Sequence, residues 1–400
     1  MNILFLFCSL PSLDSNNQLF AQLINEFKRK GHKVCVSAKG KGKAKTGVAI
    51  ENGIEVLRVY GHDFTGVNNK VKKALAYQEY CIKQRYYIKK YFGTKKFDLI
   101  VSHSLPPELS YIIKGLKNLF KCPFYLIQSD YTWQDAVAFG YFSENSPVAL
   151  YYRYWEKRMI KQADYIGCPT RRNFDFIKSY YPFVENEKFD LLPFWQDELN
   201  IEININTKKE KGLGNKFVIV YGGSAGPAQR VDHLIDLAEE CKEYDNMMFV
   251  ILGRGSMLGK LKETTLEKKL SNVMFLDFMP QEEYLSFLAS CDVGMIILNE
   301  KTAIPNFPSK SLSYLNMRVP ILAALDYVTD FGEFLEENKA GLWAHSDDIN
   351  ALKQKLLEYY NSKELIESVK KNGYRLFKTQ LTTEQAYKTI MSKINKTKIL

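Results

Sequence analysis

The sequence predicts an α/β protein built as two successive doubly wound domains that face each other across a cleft. Three observations predict it. Short apolar runs alternate with longer amphipathic segments along all 400 residues, the pattern of parallel sheets covered by helices. That length exceeds one ordinary core and fits two domains of about 150–200 residues each. Residues 196–215 lose periodicity, turning acidic and Asn-rich, then Lys- and Gly-rich, before the pattern restarts. That stretch reads as an interdomain linker. The expected domains are 1–200 and 201–381, with a C-terminal helix at about 382–400 packing back on the first.

In the first domain, strands are expected at 3–7, 33–37, 54–59, 97–101, 124–128, 164–167 and 189–192, with helices at 18–30, 70–92, 107–117, 147–163 and 171–180. Gly31 follows Lys28, Arg29 and Lys30. It is a natural stop for the first helix, with cations at the negative end of the dipole. In the second domain, strands are expected at 217–221, 248–252, 273–275, 293–297 and 320–323, and helices at 231–243, 257–270, 281–289 and 310–317. The last 55 residues read as helical, and Thr382 with Gln385 resembles a capping box.

A net charge of +10 favours an anionic partner, whether nucleic acid, a membrane face or a phosphorylated ligand. No helix-turn-helix, zinc-finger or RNP pattern accompanies the charge, which argues against nucleic acid. The seven cysteines are scattered and never spaced CxxC, as expected for buried thiols in a reducing, cytoplasmic setting. The apolar run at 1–10 lacks a basic start and is stopped by Pro11 and Asp14, so it reads as a first strand rather than a leader. No apolar stretch reaches the roughly 18 residues a membrane span needs. No His/Asp/Cys cluster argues for a metal. The segment 70–96 carries nine Lys/Arg against one acid, with Tyr77, Tyr80, Tyr87 and Tyr91 along it. It reads either as a surface touching anionic lipid or as a solvated face over a buried aromatic stripe.

The most informative segment is Tyr221-Gly-Gly-Ser-Ala-Gly-Pro-Ala-Gln-Arg-Val-Asp-His-Leu-Ile. It reads as a strand end, a glycine loop and a helix starting near Gln229. Gly222, Gly223 and Gly226 would let a phosphate approach the free N–H groups of that helix start, with Arg230 adding charge. An ordinary glycine-containing turn would look much the same.

Tyr221, Gly223, Gly226, Gln229, Asp232, Leu234 and Ile235 resemble, position by position, the donor-domain opening of group-one (family four-like) retaining glycosyltransferases of GT-B architecture, in their bacterial surface-polysaccharide branch. Arg230 departs from it, since that branch usually has glycine there. Val250-Ile-Leu-Gly-Arg-Gly-Ser resembles the family's second glycine-bearing strand end and brings Arg254. Asn272-Val-Met-Phe-Leu-Asp-Phe-Met-Pro resembles the strand and loop beside the nucleobase and brings Phe278. Pro308-Ser-Lys-Ser-Leu-Ser-Tyr-Leu-Asn-Met-Arg-Val-Pro resembles the Pro-Ser-Lys helix and the strand after it. The family's two glutamates, eight residues apart, fall on Pro305 and Ser313, so neither carboxylate is present.

The resemblance implies two Rossmann-like domains, retention of configuration, and no cofactor or metal beyond the nucleotide-sugar substrate. Donor contacts would come from Gly222, Gly223, Gly226, Gln229, Arg254, Phe278, Asn306, Phe307, Pro308, Ser309 and Ser313, and the catalytic groups would be His103, Lys310 and Arg230. In the first half, Ser15, Asn16 and Asn17 replace the family's glycine pair, and Gln128-Ser-Asp-Tyr-Thr-Trp resembles its Asp-x-Trp run. Acceptor contacts would therefore be Ser15, Asn16, Asn17, Asp130 and Trp133. The expected acceptor is lipid-linked or an oligosaccharide in capsule, O-antigen or exopolysaccharide assembly, with the protein peripheral on the inner face of the cell membrane. Two alternatives stand beside this: a non-catalytic nucleotide-sugar-binding subunit, and a sugar-nucleotide epimerase of the same architecture.

Overall fold

The computed structural model describes residues 1–14, 18–40, 45–61, 70–199, 204, 206–226 and 229–398. The expected acceptor residues Ser15, Asn16 and Asn17 lie outside them. The chain forms two compact units, Met1–Trp195 with Thr383–Leu400, and Gln196–Thr382.

The first unit contains β1 (Asn2–Leu6), α1 (Leu19–Arg29), β2 (Lys33–Lys39), β3 (Gly47–Glu51), β4 (Ile54–Val59), α2 (Lys70–Phe92), β5 (Leu99–His103), α3 (Ser110–Phe120), β6 (Phe124–Ile127), α4 (Thr132–Ala138), α5 (Pro147–Gln162), β7 (Tyr165–Cys168), α6 (Arg172–Tyr180) and β8 (Phe189–Leu191). Its sheet runs β3-β4-β2-β1-β5-β6-β7-β8, parallel except for the β3–β4 pair. Ile3 to Leu6 are fully buried, as befits a central strand covered on both faces. The α1 helix stops at Gly31 (φ +85°), a backbone state that glycine reaches without penalty.

The antiparallel edge strand β3 was not expected, although its signal is present. Asn52 (φ +44°) and Gly53 (φ +64°) form the two-residue turn between β3 and β4, and Asn-Gly between alternating runs is the strongest short hairpin signal. The α2 helix divides its aromatic residues. Tyr80 is buried and its hydroxyl donates to the Phe7 carbonyl at 3.2 Å, whereas Leu75, Ile82 and Tyr86 are exposed. The C-terminal helix Thr383–Lys398 packs on α1. Tyr387 meets Phe27 edge-on at 4.9 Å, and Lys30 pairs with Glu384 at 2.6 Å. Burying a side chain such as Phe27 is worth about 1.5–3 kcal/mol, more than the half-exposed ion pair adds.

The second unit contains α7 (Thr207–Glu210), β9 (Phe217–Ser224), α8 (Asp232–Glu240), β10 (Met247–Arg254), α9 (Leu258–Glu267), β11 (Val273–Leu276), α10 (Gln281–Ser290), β12 (Val293–Ile297), α11 (Lys310–Asn316), β13 (Ile321–Leu325), α12 (Phe331–Glu337), β14 (Gly341–His345), α13 (Ile349–Asn361) and α14 (Lys363–Leu376). Its sheet, all parallel, runs β11-β10-β9-β12-β13-β14. The short elements α7, α12 and β14 went unread in the sequence, as did α4 in the first unit.

The supposed linker is not free chain. Gln196 donates its N–H to the Leu381 carbonyl at 3.0 Å, and Asn316 donates to the Asp197 carbonyl at 3.0 Å. Lys208 pairs with Asp292 at 2.6 Å. The segment therefore belongs to the second unit, and the two chain crossings lie side by side, with Gln196 bridged to Thr382.

Candidate functional site

In the second unit the strand order reverses between β9 and β12, and open α/β sheets bind ligands at the carboxyl ends of strands at such a point. Gly222 and Gly223 are the last turns of β9 itself rather than a loop beyond it. They pair with Leu252 and Gly253 of β10. A Cβ on Gly253 would lie 1.7 Å from the Gly223 carbonyl oxygen, so the two strand ends close tightly only because residue 253 is glycine. Gly226 donates its N–H to Gln229 Oε1 at 3.1 Å, and the Tyr221 hydroxyl donates to the Ser224 carbonyl at 2.6 Å.

Lys310 opens α11 on the other side of this point. Its Nζ lies 4.8 Å from the centre of the Tyr221 ring, and its aliphatic stem runs over Gly223. Among the described residues, no hydrogen bond or ion pair reaches its ammonium. Burial alone pushes its pKa below the usual lysine value, because desolvation penalises the charged form. Lys310 is thus a half-buried cation with no counter-charge among the described residues, standing beside the glycine-bearing end of β9. Ser313 stands half-buried one turn further along α11. Arg254, at the end of β10, stacks its guanidinium 4.0 Å from the Phe278 ring, and both side chains are exposed.

One expected catalytic residue, Arg230, and two expected donor residues, Phe307 and Pro308, are placed differently. Arg230 has φ +43°, the left-handed state for which the glycine usual at this position is suited. Its guanidinium is taken up by Asp232 at 3.0 Å, by Glu300 and by His233. Helix α8 starts at Asp232 rather than near Gln229, with that acid already in its first turn. Arg230 is thus a clasp between the loops that follow β9 and β12, not an open phosphate ligand. Phe307 is buried edge-on against Phe331 at 5.2 Å and Phe334 at 5.5 Å, so its side chain is core. Pro308 is buried as well, and its carbonyl accepts from the Ser311 hydroxyl at 2.7 Å. Asn306 is held through its carbonyl, which accepts from Thr329 Oγ1 at 2.6 Å. Ser309 is exposed at the start of α11.

In the first unit the order reverses between β1 and β5. His103 ends β5, and its Nε2 lies 2.8 Å from Asp130 Oδ2 and 2.9 Å from Ser129 Oγ. The Leu105 N–H approaches His103 Nδ1 at 3.3 Å, which places the proton of a neutral ring on Nε2, facing the carboxylate. Burial pulls the Asp130 pKa up, but the hydrogen bond and charge of His103 outweigh it, and the carboxyl is held below its ordinary range. The sequence nominated the two separately, His103 as catalytic and Asp130 for the acceptor, and the fold sets them in contact.

Trp133 is a correction. It is buried and donates Nε1–H to Glu156 Oε1 at 3.2 Å, alongside Gln134 at 2.8 Å and the Tyr181 hydroxyl at 2.6 Å. Three neutral donors on a buried carboxyl make a structural network, not an acceptor surface.

One feature of this edge was missed entirely. Arg58 of β4 pairs with Glu51 of β3 at 2.6 Å and donates to the carbonyls of Leu10 and Pro11. Glu51 also accepts the Leu13 N–H at 3.0 Å, and Asp14 accepts the Asn52 N–H at 2.8 Å. The hairpin therefore holds the loop after β1 in place. Reading Asn52–Gly53 as a hairpin turn would have revealed it.

Residues 203–376 match the family described as Glycosyl transferases group 1. The chain is 25% identical over 137 residues to WbjE of Pseudomonas aeruginosa, described as a probable glycosyltransferase, covering 34% of this chain and 33% of that one. It is 22% identical over 122 residues to WcaI of Escherichia coli K12, a glycosyl transferase assigned to colanic acid biosynthesis, covering 30% of each. The chain thus spans about a third of the length of these curated relatives. Among solved structures it is similar to HepE of Anabaena in complex with UDP, with a TM-score of 0.70 at 14% identity, covering 99% of this chain and 100% of that one. The fold is GT-B, with two Rossmann-like units.

Proposed function

We propose that this chain, whose residues 203–376 match the group 1 glycosyl transferase family, moves a hexose or an amino sugar from a nucleotide-sugar to a lipid-linked or oligosaccharide acceptor. The observation that carries this reading is Lys310, an enclosed ammonium without a protein counter-charge at the switch point of the second unit. Such a cation is costly to keep unless it serves a bound anion. A nucleoside diphosphate is the anion the family takes as leaving group, and HepE was solved with UDP.

In the reaction the bond from the anomeric carbon to the diphosphate breaks, and a bond from that carbon to the acceptor hydroxyl oxygen forms. Charge grows on the departing phosphate, and a cation already in place stabilises it without reorganising. Lys310 supplies that cation, its stem lying over Gly223. Phe278, backed by Arg254, offers a flat exposed surface for the base. In a retaining reaction the departing phosphate takes the acceptor proton, so no separate base or metal is required of this chain. In the first unit, His103 and Asp130 form a donor–acceptor pair able to orient a sugar hydroxyl. Similarity to WcaI supports a place in surface-polysaccharide assembly, at the inner face of the cell membrane.

Thermal melting against a panel of UDP- and GDP-sugars tests the donor site, because a ligand that binds only the folded chain must stabilise it. Transfer assays with the stabilising sugar, comparing wild type with Lys310→Ala, then test the chemistry. An unchanged rate in the variant removes Lys310 from the reaction. The missing carboxylates at Pro305 and Ser313 favour one second reading, a subunit that binds the nucleotide-sugar for a partner enzyme. Stabilisation without turnover on any acceptor selects it.

A further inference from the structure

Helices α3 and α5 pack side by side on one face of the first unit's sheet, and α2 packs on the other flank of α3. Their outward stripes are not ordinary solvated surface. On α5 the exposed positions recur as Leu150, Tyr154, Lys157 and Lys161, and on α3 as Tyr111, Lys114 and Asn118, a helical spacing that puts each set on one face. On α5 the large apolar side chains come first and the cations follow, while α3 carries exposed apolar side chains at both ends, Tyr111 and Leu119. Leu150 is 50% exposed, Tyr154 54% and Tyr111 41%, although each could have been polar without harm to the core. The α3 helix carries no acid, and the single acid of α5, Glu156, is buried beneath Trp133. The neighbouring acids Asp164 and Glu144 are engaged with Lys117 and Arg153, which leaves Lys114, Lys157 and Lys161 uncompensated.

Between the second halves of α3 and α5 lies a groove of about 380 Å³ lined by Lys114, Lys117, Asn118, Arg158, Lys161 and Gln162. Aromatic rings flank its cations. Arg158 lies 5.6 Å from the rings of Tyr154 and of Trp155, Lys161 lies 5.6 Å from Phe183, and Arg85 of α2 lies 5.8 Å from Tyr111. These contacts hold the charged heads of Arg158 and Lys161 over aromatic rings, beside exposed apolar side chains. That combination suits the boundary between headgroups and acyl chains of an anionic bilayer.

We infer that the α3–α5 face docks on an anionic lipid surface, with lipid phosphates seated in the Lys114–Lys161 groove and Leu150, Tyr154 and Tyr111 entering the interface. The sequence offered lipid contact only at 70–96, as one of two readings, and there Tyr80 is core. The docking rests on this face only and stands whether or not the transferase reading holds.

Co-sedimentation of the full chain with vesicles tests it, using phosphatidylcholine alone and phosphatidylcholine with phosphatidylglycerol. Binding is expected to the anionic vesicles and to weaken with salt. Each cation removed should weaken it roughly fivefold, so Lys114→Gln/Lys161→Gln together should cost about twenty-fivefold, with an unchanged melting temperature. Lys355→Gln/Lys370→Gln, two half-buried lysines of the second unit, should bind as wild type. Leu150→Ala should reduce the binding that survives high salt. Equal binding to neutral vesicles, or no loss in the double variant, overturns the inference. Displacement by millimolar inorganic phosphate would assign the groove to a free anion instead, and an equally tight, salt-sensitive shift with arbitrary DNA would assign it to nucleic acid; either result overturns it.

Discussion

Gly223 and Lys310 are mutually fitted: a Cβ on Gly223, which sits at φ +143°, would lie 2.5 Å from Cε of Lys310. The clash meets the far end of a flexible side chain, so Lys310 can yield where the backbone cannot. Gly223→Ala is therefore expected to displace the ammonium while costing about 1–3 kcal/mol in stability. Calorimetric titration with UDP should show affinity falling about tenfold or more, the worth of one hydrogen bond to a charged group. Unchanged UDP affinity would detach this glycine from the anion site.

Lys310→Met should stabilise the ligand-free protein while weakening nucleotide binding. The native lysine is more acidic in the fold than its ordinary value of 10.5. Below its folded pKa both folded and unfolded chains carry the proton, and the fold bears the full desolvation cost. As pH climbs through that lowered pKa, the folded chain sheds the proton and the cost fades. The variant should melt about 2–4 °C higher at neutral pH, for a gain of about 1 kcal/mol, and the difference should shrink toward pH 10. Melting curves across pH check both sign and window.

The Arg230–Glu300 clasp joins residues 70 positions apart. Arg230→Gly relieves a left-handed backbone worth about 1–2 kcal/mol but strands Glu300, which already has one buried oxygen without a partner. A double-mutant cycle with Glu300→Gln should return a coupling of about 1–3 kcal/mol in chemical denaturation. Additivity would mean the pair does not hold the two loops together.

Trp133→Phe separates a core role from an acceptor role. It removes one donor from the buried Glu156 and should cost about 1–3 kcal/mol, with KM for the acceptor unchanged. A raised KM with unaltered stability would restore Trp133 to the acceptor site.

His103→Ala should move the acid limb of stability upward. With His103 present, Asp130 titrates below its ordinary value, so its contribution holds at neutral pH and disappears only as pH falls through that lowered pKa. Without the imidazole only the Ser129 hydroxyl still favours the charged form, and the carboxyl protonates at higher pH. Carbon-detected NMR titration of Asp130 reads the shift directly.

The central strands and the Pro-Ser-Lys helix were legible in the chain because their signals are local. An apolar run of four to eight residues such as Val293–Ile297 has few alternatives to a buried strand. Lys310, at the helix start, follows from the motif around it. The short elements β3 and β14 escaped because their residues are half-exposed and mix polar with apolar. What the tertiary structure alone decided is how each side chain is used. Arg230 is consumed by a carboxylate on a distant loop, Phe307 is absorbed by α12, and Trp133 is turned onto Glu156, while Lys310 is left without a counter-charge. Burial and charge pairing arise between segments far apart in sequence, so a local pattern can nominate a cation or an aromatic ring but cannot say whether the fold has already spent it.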